Sequence, residues 1–139
     1  MITIKINSTE LGKFKGSASA LKNMQKPMKQ ALAYLELETK SQFISQTDPD
    51  GVRWKDLTPS TWARKRSQSI LREDSVLINS IYTRVSGGLE GEIGVSAEYA
   101  LYHQMGTNKM PQRKILGVTD ARLSKIQSVF EIYIADLFN

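Results

Sequence analysis

One histidine, His103, and no cysteine set the first limit on the chemistry open to this 139-residue chain. The histidine lies in Tyr99-Ala100-Leu101-Tyr102-His103-Gln104-Met105-Gly106, among apolar and aromatic residues, with no carboxylate, thiol or second imidazole beside it. General-base work, nucleophile activation and zinc binding all need such partners. The context instead predicts a neutral, structural imidazole that hydrogen-bonds a hydroxyl or a carbonyl. Tyr99, Leu101, Tyr102 and Met105 fit a core and a subunit contact equally well, and the sequence leaves both open.

Other groupings fail the chemistry they suggest. Asp48-Pro49-Asp50-Gly51 is similar to the start of a calcium loop, but a third oxygen ligand is missing and Pro59 stands where the twelfth-position glutamate belongs. The same residues form a good turn. Gly88, Gly91 and Gly94 are followed by no Gly-Lys-Ser/Thr and open no helix, so they read as hairpin glycines, with Gly94 marking a bulge or a close backbone approach. Arg64, Lys65, Arg66 and Arg72 surround Trp62, and Lys109, Arg113 and Lys114 form a second basic group that could grip phosphates. Glu73 and Asp74 offset the first group, and clusters of this size also serve as solvated helix faces. No acid pair or activated nucleophile stands at a recognisable spacing, so the expectation is a non-enzyme with no metal and no cofactor.

Nineteen Lys plus Arg against fourteen Asp plus Glu give a formal charge of +5, which favours acidic partners without forming a polybasic tail. The length suits a single domain over residues 1–139, large enough to bury roughly two thirds of the unfolded surface. No apolar run approaches the ~20 residues of a membrane span. The absence of cysteine excludes disulfides and thiolate metal sites, and fits a reducing compartment.

The elements that must position these residues follow from hydrophobic period. Ile2, Ile4 and Ile6 alternate with Thr3, Lys5 and Asn7 as a strand with one wet face. From about Ala18 to Ser45, Leu21, Met24, Met28, Ala31, Leu32, Leu35, Gln42 and Phe43 recur at helical spacing; Pro27 predicts either a kink or a start near Lys26. The 48–51 turn ends that helix. A short helix is expected through Trp62, Ala63 and Lys65, capped by Thr58 or Ser60, and another through Val76, Leu77 and Ile78. Residues 81–86 and 91–95 read as a β-hairpin across a glycine loop. Thr119 or Asp120 caps a last helix carrying Leu123, Ile126, Phe130, Tyr133, Ile134 and Leu137. The order predicts an α+β fold: a small antiparallel sheet, two long helices over one face, and a long irregular central loop at about 47–66. Such a loop exceeds the ~4 to 6 residues of most connections, so it is either functional or anchored by Trp54 and Leu57.

Taken as one unit, Phe43, Gln46, Asp48-Pro49-Asp50-Gly51, Trp54, Leu57, Thr58-Pro59, Lys65, Ile70-Leu71, Tyr99-Ala100, His103-Gln104, Gly106, Pro111, Arg113 and Leu116-Gly117 resemble the phage virion morphogenesis family of tail completion proteins. The chain departs from that pattern at Glu73-Asp74-Ser75, where a glycine-containing turn is expected, and at Gln112-Arg113-Lys114, which is more polar than usual. The resemblance implies a non-enzymatic protein that acts late in virion assembly, in the bacterial host cytoplasm and then in the virion tail, completing the tail or joining it to the head. It also implies a homo-oligomer, with a ring as one form, and contacts with tail or head-tail connector proteins. The 47–66 loop, the hairpin edge and the 99–117 segment are the expected surfaces, with Asp48, Asp50, Trp54, Leu57, Trp62, Tyr99, Tyr102, His103, Gln104, Pro111 and Arg113 as candidate contacts. The alternative reading is a small basic nucleic-acid-binding module using Arg64, Lys65, Arg66, Lys109, Arg113 and Lys114.

Overall fold

The computed structural model of the chain describes residues 2–7, 24–58, 61, 63, 76–86 and 90–137. Three strands, β1 (Ile2–Asn7), β2 (Ile81–Ser86) and β3 (Glu90–Val95), form one antiparallel sheet in the order β1-β3-β2. The hairpin strands are where the pattern put them, and β1 completes the sheet by pairing with the far side of β3, Ile4 opposite Ile93 and Lys5 opposite Glu92. Because side chains alternate, Ile2, Ile4, Ile6, Ile81, Val85, Ile93 and Val95 share one face. Thr3, Lys5, Tyr82, Arg84 and Glu92 share the other.

The first long helix, α1 (Gln25–Ser45), lies across β2 and β3 on the apolar face. It starts after Met24, with Pro27 in its first turn, so the missing proline N–H is one that no preceding carbonyl would have met. Of the two readings Pro27 allowed, the late start is the one adopted; residues 18–23 of the expected helix lie outside the described residues. Met28, Ala31, Leu32, Leu35, Thr39, Gln42 and Phe43 form its buried face. The helix ends at Gln46, whose backbone takes the left-handed conformation (φ 58°) and returns its N–H to Gln42 O.

Gly91 lets α1 lie close against the sheet. A Cβ there would lie 2.6 Å from Met28 Sδ and 2.9 Å from Leu32 Cδ1. Gly94 has the same role on the opposite face, where the Tyr82 ring would sit 2.6 Å from an added Cβ. The expected bulge or backbone approach at Gly94 is thus replaced by an aromatic side chain, and the β2–β3 register runs through it unbroken.

Two short helices, α2 (Val76–Asn79) and α3 (Ala100–Met105), flank the hairpin, and α4 (Asp120–Leu137) closes the chain's described part. Thr119 caps α4 through its hydroxyl, which accepts the Arg122 N–H at 3.3 Å. Helix α4 packs against α1 through Ile126, Phe130 and Ile134. Leu123, expected on this face, is exposed, and Arg122 is the buried residue one position earlier. Positions 122, 126, 130 and 134 form the true stripe, because four-residue steps keep a side chain on one face. The described part of the central loop, 46–58, is anchored: Trp54 is in the core and Leu57 packs against it. Thr61 and Ala63 are helical, as expected after Thr58, which takes the Thr61 N–H at 3.0 Å.

Gly91→Ala forces a methyl into the closed contact with Met28 and Leu32, and a destabilisation of about 1–3 kcal/mol is expected. Urea unfolding followed by far-UV circular dichroism measures it.

Candidate functional site

The site is built around a chain segment that is buried but belongs to no sheet. Residues 113–117 have no regular secondary structure and lie against α3, with Ile115 and Leu116 in the core. Buried backbone polar groups must be paired, and here side chains do the pairing. The carboxamide of Gln104 takes three of these groups: Oε1 accepts the N–H groups of Ile115 (2.8 Å) and Leu116 (3.0 Å), and Nε2 donates to Leu116 O (2.8 Å). Gln42 of α1 donates to Ile115 O at 2.8 Å, and the Trp54 indole N–H donates to Lys114 O at 2.9 Å. Arg122 of α4 donates to Gly117 O at 3.0 Å and to Gln42 Oε1 at 2.6 Å. At the other end the Arg113 N–H donates to His103 O at 2.7 Å.

Local turn chemistry delivers Trp54 to this place. Asp48 Oδ1 accepts the N–H groups of Asp50 and Val52, both at 2.9 Å, while Gly51 takes a φ of 83° that favours glycine. The turn is closed by the Thr47–Arg53 bridge, and Gly117 sits against Pro49 so closely that a Cβ would lie 2.8 Å from it. Trp54 then meets Phe43 edge to face, ring centroids 5.3 Å apart. Arg113 turns inward as well, donating from Nε to Lys55 O (2.8 Å) and from Nη2 to Asp56 O (3.3 Å). Burial pulls its pKa down from the ordinary arginine value, with Asp56 acting against that.

The candidate contact residues therefore separate. Asp48, Trp54, Leu57, Gln104 and Arg113 are occupied inside the molecule. Pro111 is half-buried, and Asp50, Lys109 and Lys114 are exposed. Trp62, Arg64, Lys65 and Arg66 lie outside the described residues. With Arg113 turned inward, the second basic group keeps Lys109 and Lys114 on the surface.

What the segment holds up is α3. Only Ala100 of this six-residue helix is buried; with the preceding Tyr99, its large apolar side chains face solvent, Tyr99 at 41%, Leu101 at 47%, Tyr102 at 55% and Met105 at 66% exposure. A helix of this length is not stable alone. It is fixed by the Gln104 clamp, by Gln112 Nε2 donating to Gln104 O at 2.9 Å, and by Gly106, which ends it with a φ of 75°. The open choice between core and contact for Tyr99 and Tyr102 is thus resolved as surface.

His103 lies where α3 meets the 113–117 segment. Its ring meets that of Tyr99 edge to face at 6.0 Å, and its Nδ1 is buried with no hydrogen-bond partner among the described residues, so the expected bond to a hydroxyl or carbonyl is not made at that atom. Burial first, and the Arg113 charge second, lower its pKa below the ordinary 6.5, which keeps the imidazole neutral. Two residues escaped the sequence reading altogether. Arg122 was hidden one position from Leu123, and Glu92, on the polar sheet face, is nearly buried between Arg84, which donates to it, and Tyr82, whose hydroxyl donates at 3.1 Å. The Arg84 hydrogen bond holds the Glu92 carboxyl below the usual carboxylate range.

The profile of the phage virion morphogenesis family matches residues 8–135 of the chain. No curated protein and no solved structure matches it.

Gln104→Leu leaves two N–H groups and one carbonyl of the 115–116 backbone without their partner, and a loss of roughly 2–4 kcal/mol is expected on urea unfolding. His103 gives a pH-dependent signature. Its native pKa lies below the unfolded value, so the unfolded chain binds the proton first; the neutral form's stability is complete above about pH 6.5 and is lost as pH falls toward the native pKa. Melting temperatures of the wild type and His103→Gln, compared from pH 8 to pH 5, should diverge below about pH 6.5, with the wild type falling faster.

Proposed function

The chain belongs to the phage virion morphogenesis family and has a structural or assembly role in building the phage particle, and we propose that this role is to complete the tail or to join it to the head. In this reading the protein makes and breaks no bonds. It works in the bacterial host cytoplasm during assembly and remains in the tail of the virion, binding copies of itself and tail or connector proteins.

The observation that carries this reading is the display of Tyr99, Leu101, Tyr102 and Met105 on a clamped helix. Four large apolar side chains side by side on the surface of a small domain favour a contact with another protein. Tyr and Met suit that purpose, the first adding a hydroxyl at the rim and the second adapting its shape to the partner. Fixing the helix from beneath lowers the ordering cost of binding, because the face is already held in its bound conformation. In this reading the α3 face meets a tail or connector protein.

Tyr102→Ser combined with Met105→Ser tests this directly. Both side chains are exposed, so stability should stay within about 0.5 kcal/mol of wild type by urea unfolding. Co-sedimentation with purified tail tubes of the same phage should fall tenfold or more. A folded double variant that sediments as well as wild type would remove the α3 face from the assembly contact.

A further inference from the structure

Among the described residues the sheet ends at two edges, β1 and β2, and their backbone groups can be assigned. Ser96 N–H donates to Ser80 O at 3.0 Å, which fixes the phase of the β2–β3 ladder. Stepping along the register in twos, Tyr82, Arg84 and Ser86 turn their backbone groups toward β3, and Ile81, Thr83 and Val85 turn theirs to the outside. On the other side β3 uses Gly91, Ile93 and Val95 for β1, so Ile2, Ile4 and Ile6 bond inward while Thr3 and Lys5 point outward.

Among the described residues neither edge carries a further strand, and the one charge on the β1 edge, Lys5, faces Glu92 across the ladder. The ladders contain no proline and no interruption of register. Arg84, whose charge would protect the β2 edge, is drawn back across the sheet onto Glu92. Thr83 lies on the same face as the core residues Ile81 and Ile93, yet it is exposed, and Val85 is half-buried. Although α1 packs against β2, these two positions leave the β2 margin partly exposed.

We propose that β2 of one copy takes β1 of a second copy as its neighbouring strand, joining copies head to tail through a continuous sheet. The inference rests on the self-association in the function proposed above, and specifies its surface. The two strands are six residues each. Both run antiparallel to β3, hence parallel to one another, and a head-to-tail repeat makes the junction a parallel pair. Aligned by pleat, Ile81, Thr83 and Val85 continue into Ile2, Ile4 and Ile6 on the helix side, and Tyr82 and Arg84 continue into Thr3 and Lys5 on the other. One kind of junction uses both edges, whereas a two-fold pairing of β2 with β2 leaves β1 open. Repeated by rotation, a heterologous contact of this kind closes into a ring.

The test uses proline where only the outward N–H is lost. Thr83→Pro blocks the β2 edge and Lys5→Pro the β1 edge, and neither removes an N–H that bonds to β3. Light scattering coupled to size exclusion should find wild type as an oligomer of several 15.6 kDa chains and each variant as a monomer. An equimolar mixture of the two variants should form a dimer and nothing larger, since it holds one intact junction. Proline variants that keep the wild-type mass overturn the edge contact while self-association stands, and a Lys5→Pro dimer beside a Thr83→Pro monomer replaces it with two-fold β2 pairing. A wild type that is monomeric at every concentration overturns both readings. Should circular dichroism show a proline variant unfolded, Thr83→Lys with Val85→Lys supplies the β2 block through side chains, and the same masses decide.

Discussion

A largely buried segment with no regular secondary structure, residues 113–117, is the constraint around which this molecule is organised. Each backbone group of 113–117 that entered the core unpaired would cost about 1–3 kcal/mol. Helix α1 supplies Gln42, the central loop Trp54, α3 Gln104 and α4 Arg122, so one segment recruits four parts of the chain. The choice of side chains follows from the task. A carboxamide offers donor and acceptor in the geometry of a peptide group, and a guanidinium reaches a carbonyl with a planar, directed N–H. Arg122 joins the two, donating to the segment and to the glutamine that holds it.

This organisation explains which parts of the fold were legible. Alternation disclosed β1 and the hairpin, helical period disclosed α1 and α4, and Thr119 marked the last helix start, because these signals are local. The clamp is not local. Gln42 finds Ile115 73 residues away and Gln104 spans 12 to Leu116, so a glutamine in an apolar stripe reads the same whether it binds the chain or water. Arg122 and Leu123 differ by one position, and leucine looks the better core residue until Arg122 is seen to bury its stem and satisfy its head on carbonyls. Residues quoted for the family resemblance, among them Asp48, Pro49, Trp54, Gln104, Arg113, Leu116 and Gly117, meet at this junction. Their pattern carried fold information, because these side chains are engaged within the molecule.

Inside and outside thus have separate work. The interior fixes α3, whose own length could not hold it in place, and the exterior of α3 is left to aromatic and aliphatic side chains with no polar partner of their own. His103 sits at the boundary, its carbonyl in the clamp and its ring against Tyr99. A charge on that ring would stand beside Arg113, already deprived of water, so the neutral imidazole is the form the junction accommodates.

The two kinds of surface differ in what they can recognise. Apolar side chains on α3 make contacts that are tolerant of direction and depend on shape, which suits a partner of different sequence. A strand edge demands donors and acceptors at fixed spacing and a matching pleat, and a second copy of the same sheet supplies them at no additional design. Glu92 links the edges to the rest of the sheet. By pairing with Arg84 across the face it offsets the cation on β2, and it accepts from the Tyr82 hydroxyl, whose ring lies against Gly94. Under the two proposals above, a directional edge and a permissive face lie on separate elements, the sheet margins and α3.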